Sequence, residues 1–552
     1  MDPMRSNSLT IDTAHEPLSG ARWKAVRLRY RLESGAERRT PRHPFMVPTR
    51  GSWRRRALGA ALLAWLLLMP GAAARDDAKN WYKLATPNFE LYGNGRDAEA
   101  KRLLRELESF RHVVSRFLGL TNVQRRPALV FFFKDDASFR PYKPRYEGKP
   151  SIVSGFHTED PMDYALALGR QERGSTTMRV LFHEYTHLLT ARQFRHLPVW
   201  AHEGVAEAFS TFEADDDRFD IGVALTNHVF LLRQNPPLPV ERLLAIDRDA
   251  PDYNERSRAG NFYATSWLLA HYLLFAQQGF ATNVFASYAA LGAGTTNRTE
   301  AFRRAFGSPP AAFDARLRDY VQGGRYTVVR QTYPELESIR PRAFELSPGE
   351  IDLQLGRLLQ MTGQGDLARP RLERAANLAP ADPRPHEALA LLAWRRSDLP
   401  VAQAEVDRAL GLGSREAFLH FIAAELVYRG LSRQTDPARA AASLTQGRRL
   451  CEQAIQLDRW LAPAHHLLGI YVLAQNPRTP ALAAVHVQEA LRCDPLYQPA
   501  LITWAALLVS EGNLGTARLI LTRLLGGPLP DELRSVATRM AADIDRRLGT
   551  RP

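Results

Sequence analysis

The chain has 552 residues, of which 45% are apolar and 24% charged, enough for about three domains of ~150 residues, each with a buried core. Its two cysteines exclude a disulfide-stapled scaffold and any cysteine-based zinc finger. The net charge of +14 is concentrated at the start: residues 1–74 hold 13 Lys+Arg against 5 Asp+Glu, and the rest hold 60 against 54, so no nucleic-acid partner is expected.

Residues 1–45 read as a disordered or non-native extension, and Met46 is the natural start of translation. Arg54-Arg55-Arg56 precede the uncharged run Ala57–Met69, and Pro70-Gly71-Ala72-Ala73-Ala74 come directly after it. A run of 13 residues is short of the ~20 that span a bilayer. Basic flank, apolar run and Ala-x-Ala exit make 46–74 a secretory signal peptide, cut after Ala74. The mature chain is then expected to be exported, periplasmic or secreted, with no transmembrane anchor left.

From residue 75 to 326 the pattern is mixed. Asn88–Tyr92 alternates as a strand and stops at Gly93-Asn94-Gly95. Asp97–Leu118 carries apolar residues at three- and four-residue steps, the mark of an amphipathic helix. Ala128–Phe133, Ile152–Phe156 and Tyr164–Leu168 read as further strands, and helices dominate after Arg170. Strands first and helices after predict an α+β domain.

Within that domain Leu181-Phe-His-Glu-Tyr-Thr-His-Leu-Leu189 stands apart. His183 and His187 are four apart, so on a helix both imidazoles leave one face and can grip one metal ion. Two neutral nitrogens suit Zn²⁺, and Glu184, next to the first, can take a proton from a water. Met178–Thr190 contains no Pro or Gly to break the helix.

Sixteen residues past His187 stands Glu203, in Trp200-Ala-His-Glu-Gly-Val-Ala-Glu207. Here the chain resembles the gluzincins, zinc peptidases with H-E-x-x-H and a glutamate on the next helix, and in particular the W-x-x-E-G-x-A stretch of the peptidase-MA-like group. The metzincin pattern is absent, because Gln193 stands where its third histidine would be. The resemblance spans roughly residues 80–322 and implies a zincin-like fold. It implies Zn²⁺ held by His183, His187 and Glu203, with Gly204 letting two helices approach. Glu207 is the rival ligand, at the thermolysin-like spacing; otherwise it accepts a hydrogen bond from a ligand imidazole. His196 and His202 read as loop and surface residues. On the later helix Asn261–Leu273 the same resemblance implies an oxyanion donor, for which Tyr263 is the candidate, core packing being the equal alternative; His271 reads as a core histidine. Asp215-Asp216-Asp217 lacks the glycine and distal glutamate of an EF-hand loop and reads as a solvated acidic turn.

A proline-punctuated linker is expected over 327–348, and beyond it, to 548, the sequence repeats. Ala368 and Ala402, Ala375 and Ala409, and Leu378 and Leu412 recur at a shift of 34, and Glu452–Leu457 and Gln488–Cys493 recur at 36. The 45 residues between Leu412 and Leu457 mark one enlarged unit. These units resemble tetratricopeptide repeats, with Leu378, Leu412 and Leu457 as recurring anchors, five units and a C-terminal capping helix. Cys451 and Cys493 fall in different registers and are not expected to pair.

The expected architecture is an α+β zincin-like metallopeptidase domain followed by an all-α tetratricopeptide-repeat solenoid. Its expected activity is peptide-bond hydrolysis on a peptide or protein substrate, with the repeats recruiting a protein partner. Strand addition at Tyr164–Leu168 is the expected mode of substrate capture. The alternative is a non-catalytic envelope adaptor in which the repeats bind partners and the zinc fold is structural or degenerate.

Overall fold

The computed structural model describes strands at 12–18 and 21–29 and most of 80–549; 30–79, which include the expected signal peptide, lie outside the described residues, as do 121–125, 147, 171–173, 192, 195, 216–217, 248–249, 255, 277–283, 295–296, 333–337, 432–433, 477–479 and 528. Two compact units emerge. One gathers Met1–Pro141, Ile152–His157 and Ala165–Glu345; the other gathers Tyr142–Ser151, Thr158–Tyr164 and Leu346–Pro552.

In chain order the strands are β1 Asp12–Leu18, β2 Ala21–Arg29, β3 Tyr82–Thr86, β4 Phe89–Gly93, β5 Ala128–Phe133, β6 Arg145–Tyr146, β7 Lys149–Pro150, β8 Gly155–Glu159, β9 Tyr164–Gly169, β10 Glu213–Asp215, β11 Arg218–Ile221, β12 Arg325–Thr332 and β13 Arg342–Phe344. The first unit is built on a six-stranded sheet of order β13-β3-β4-β5-β9-β8. Its middle is parallel, with Leu91 opposite Val130 and Phe131 opposite Ala167. All six residues of β5 are buried, as expected where a parallel strand is covered on both faces. A second sheet has the order β1-β2-β12-β11-β10.

The helices that matter for the site are α1 Asp97–Phe117, α2 Gly174–Thr190, α3 Val199–Ser210, α4 Thr226–Gln234 and α5 Arg256–His271. Helix α1 buries Leu103, Leu104, Leu107, Phe110 and Val114 along one stripe. Buried Glu108 on that helix accepts hydrogen bonds from Asn88 N at 2.8 Å and Asn88 Nδ2 at 2.7 Å, which pins the β3–β4 turn. Longer helices later in this unit are α6 Val284–Gly294, α7 Arg298–Phe306 and α8 Ala311–Gly323.

Three expectations change. The strand expected at 152–156 begins only at Gly155 and runs to Glu159. The stretch read as a linker, 327–348, carries most of β12 and all of β13, and both are paired in sheets. And β9 lies between β5 and β8, so Tyr164–Leu168 has no open edge; β8 ends the order.

The second unit is a helical array: α9 Glu350–Met361, α10 Gly365–Leu378, α11 Arg384–Arg395, α12 Leu399–Gly411, α13 Ala417–Leu431, α14 Pro437–Leu457, α15 Ala462–Gln475, α16 Pro480–Cys493, α17 Gln498–Ser510, α18 Leu514–Leu525 and α19 Asp531–Leu548. Alternate helices begin at 350, 384, 417, 462 and 498, steps of 34, 33, 45 and 36 residues. The enlarged step is absorbed by the 21-residue helix α14. Stacked helical pairs of this kind form a solenoid in which each pair buries its face against the next. The recurring alanines do that packing: Ala368, Ala375, Ala402, Ala409, Ala454 and Ala490 are all buried, whereas Leu378, Leu412 and Leu457 sit exposed at helix ends. The leucines are therefore register marks and not anchors. Cys451 is buried on α14, Cys493 closes α16, and each is a free thiol. Among the described residues no helix is long and apolar enough to cross a membrane.

Candidate metal centre

Helix α2 has two faces because its sequence has two periodicities. Leu181, Phe182, Tyr185, Leu188 and Leu189 recur at three- and four-residue steps and are all buried. Phe182 stacks on Phe110 of α1 at 4.5 Å between ring centroids, and Tyr185 meets Phe89 of β4 at 5.1 Å. With that face fixed against α1 and the sheet, His183, Glu184 and His187 are presented on the other side.

Helix α3 supplies the third donor. It is buried nearly all round, and Trp200, wholly buried, lies against Phe285, Tyr288 and Phe302 of α6 and α7. Gly204 faces α5: a Cβ there would overlap the Ser266 carbonyl and stand 2.9 Å from the Ala270 Cβ. Only glycine permits this approach, as the sequence led us to expect.

The donor atoms converge. His183 Nε2 lies 3.1 Å from His187 Nε2 and 3.4 Å from Glu203 Oε2, and His187 Nε2 lies 3.6 Å from the same oxygen. Bonds of ~2.0–2.1 Å to a tetrahedral zinc place neighbouring donors roughly 3.3 Å apart, so the three atoms fit the corners of one coordination shell. Among the described residues they are the one group of three or more such side chains that meets this way. His196 and His202 stay outside it. Of the acidic turn Asp215–Asp217, residues 216–217 lie outside the described residues.

Glu203 and Glu207 are separated by the nitrogens they address. Glu203 shares the Nε2 side of His183, while Glu207 Oε1 approaches His183 Nδ1, on the far side of the ring, at 3.6 Å. Glu207 Oε2 in turn approaches Nε2 of His228, on α4, at 3.5 Å. A carboxylate behind a ligating imidazole fixes ring orientation and tautomer. Burial opposes charge on Glu203, yet the two histidines hold its carboxyl well below the usual range. Burial likewise opposes charge on His183, but its hydrogen bond to Glu203 and the charges of Glu207, Glu203 and Glu184 push it up to about 9.

Three side chains join the site that the sequence did not single out: Tyr253, His157 and His228. Tyr253, in the short helix Pro251–Asn254, donates its hydroxyl to Glu203 Oε1 at 3.2 Å. The expected donor Tyr263 packs on Tyr253 with ring centroids 6.0 Å apart, and burial, then the Glu203 charge, raise its hydroxyl pKa. His157, on β8, sets Nδ1 against Glu184 Oε2. His228 completes the set behind Glu207. Period-two alternation points to His157 once β8 is known to reach Glu159; Tyr253 lies in a polar stretch with no periodicity. His271 is wholly buried, its Nε2 2.7 Å from the Gly222 carbonyl and its Nδ1 2.9 Å from the Tyr320 hydroxyl.

No family model matches the chain, and no curated protein matches it. Solved structures similar to it include a tetratricopeptide-repeat protein of Thermus thermophilus, TTC0263, 21% identical, covering 35% of this chain and 99% of that one with a TM-score of 0.30. PilF of Pseudomonas aeruginosa is 20% identical over 36% of this chain and 90% of its own, TM-score 0.28. PilW, a type IV pilus biogenesis factor, is 17% identical over 37% of this chain and 86% of its own, TM-score 0.29. At these scores the likenesses carry no argument about activity, and the repeat assignment rests on the period and the paired helices.

Proposed function

We propose that the chain joins a protein-binding repeat array to a metal-dependent hydrolase of peptide bonds. The observation that carries the second half is the convergence of His183 Nε2, His187 Nε2 and Glu203 Oε2 within 3.6 Å of one another. In this reading those three residues would hold Zn²⁺, which when bound would supply Lewis-acid polarisation to a substrate carbonyl and a water. Glu184 takes a proton from that water as its oxygen bonds to the peptide carbonyl carbon. It returns the proton to the amine nitrogen as the C–N bond breaks. Glu207 and Tyr253 hold His183 and Glu203 in register, and Tyr263 stands beside them as the candidate donor to the developing oxyanion. An extended substrate has an edge to pair with at β8.

The first half rests on five stacked helical pairs, an architecture that presents extended binding surfaces. It also supports a second reading that needs no metal, an adaptor whose repeats bind partner proteins while the first unit is a scaffold. Export from the cell remains part of both readings.

Elemental analysis of the purified chain, beside Glu203→Ala and Glu184→Gln, decides between them. About one zinc per chain, lost in the first variant and kept without hydrolysis in the second, supports the hydrolase. No zinc even after it is supplied, together with binding activity that survives Glu184→Gln and is lost with residues 350–552, leaves the adaptor.

A further inference from the structure

We propose that His157 is a positioning residue for Glu184, donating from Nδ1 to one carboxylate oxygen so that the other is turned to receive a proton. What Glu184 then does rests on the hydrolase reading; the pairing itself does not.

The pairing is built from two separate elements. Phe156 of β8 is buried and stacks on Phe139 with ring centroids 5.7 Å apart and planes within 9°. Successive strand residues face opposite sides, so an anchored Phe156 sends His157 the other way. That ring comes to within 5.7 Å, between centroids, of the His187 ring on α2. Its Nδ1 meets Glu184 Oε2 there, with both side chains partly shielded, 34% and 24% exposed.

Glu184 needs such a partner. It is one position past His183, so on α2 it is turned about 100° from that histidine and about 60° from His187, off the line on which the two imidazoles meet. A glutamate has three rotatable bonds, and freezing them costs side-chain entropy. A donor arriving from β8 selects one conformer and occupies Oε2, leaving Oε1 as the acceptor. No other hydrogen bond to the Glu184 side chain is needed for this geometry, and burial alone would push its carboxyl up, whereas the His157 contact draws it down.

The test uses the full chain in two states. In metal-free protein, thermal unfolding is compared for His157→Ala, Glu184→Ala and the double variant. Paired residues give a double variant whose Tm loss is smaller than the sum of the single losses by a few degrees; additive losses overturn the proposal. In zinc-loaded protein, kcat and KM are measured on a fluorogenic peptide mixture. His157→Ala should lower kcat roughly 10- to 100-fold, with KM and zinc content unchanged. His157→Asn, whose amide can donate from nearly the same place as Nδ1, should recover most of the loss. A His157→Ala chain with wild-type kcat, or a His157→Asn chain no better than alanine, overturns the positioning role. If no form of the chain hydrolyses the mixture, the hydrolase reading falls. The metal-free cycle still decides the pairing, non-additivity supporting it and additivity overturning it.

Discussion

Gly204 of α3 lies so close to the Ser266 carbonyl of α5 that a Cβ has no room. The next residue back, Glu203, is the carboxylate that meets both histidines, so a close helix crossing sits beside the convergence of the three donor atoms. Gly204→Ala must push the two backbones apart. Overpacking of this kind costs about 1–3 kcal/mol, and here it also displaces Glu203. The expected result is a Tm lowered by several degrees together with weakened zinc binding. A variant with wild-type Tm and zinc affinity would show that the crossing does not set the site.

The roles of the two glutamates predict different losses. Glu203→Gln replaces the anionic carboxylate with a neutral amide, a much weaker ligand, and zinc should no longer be retained through dialysis. Glu207→Gln replaces the carboxylate behind His183 Nδ1 with a neutral amide, and zinc affinity should fall roughly 10- to 100-fold without being lost. Competition with a chelator measures both. If the two variants exchange these phenotypes, Glu207 is the ligand.

Much of this was legible in the sequence because it depends on local spacing. Two histidines four apart share a helix face wherever the helix lies, and a period of 34 survives in the alanines that pack the repeats. What the sequence hid depends on pairing at a distance. Nothing in Tyr164–Leu168 says that β8 will cover its outer edge, and nothing in the proline-marked stretch after 327 says that Phe344 will lie opposite Lys83. His157 was missed for a smaller reason: a strand ended at Phe156 leaves the next residue in a loop, whereas the true strand continues and turns it toward Glu184.

His271 gives a pH prediction. Burial pulls its pKa down to about 4, with the hydrogen bond to the Gly222 carbonyl opposing. The neutral ring fits its partners, Nε2–H donating to Gly222 O and Nδ1 accepting from the Tyr320 hydroxyl. The unfolded chain has a histidine pKa of ~6.5 and binds a proton more readily than the folded one. The contribution of His271 is therefore fully present above about 6.5 and declines as pH falls from there through about 4. At ~1.4 kcal/mol per unit, the decline is of order 3 kcal/mol. The difference in Tm between the wild type and His271→Gln isolates this share from the titrating carboxylates. That difference should shrink as pH falls from 7 to 4.5, and a constant one would contradict a neutral buried imidazole.

The second unit is not made of repeats alone, and that yields the last prediction. Its segment Thr158–Tyr164 contributes Met162, 5% exposed, to an apolar cluster with Ala390 and Leu391 of α11 and Phe418 and Phe421 of α13. The same segment pairs Asp163 with Arg357 of α9, and Thr158 donates to the Met361 carbonyl at 3.1 Å. The first repeats thus bury part of their apolar surface against a segment far earlier in the chain, Thr158 and Met361 standing 203 residues apart. Truncating a buried methionine to alanine costs about 2–5 kcal/mol. Loss at this position should be felt by α11 and α13 and spare α17 and α18, since a solenoid transmits stability only between neighbours. Hydrogen exchange on Met162→Ala reads this directly: amides in 384–395 and 417–431 should exchange faster while those in 498–525 keep their protection. Uniform change along the array, or none, would mean that the segment lies on the repeats without stabilising them.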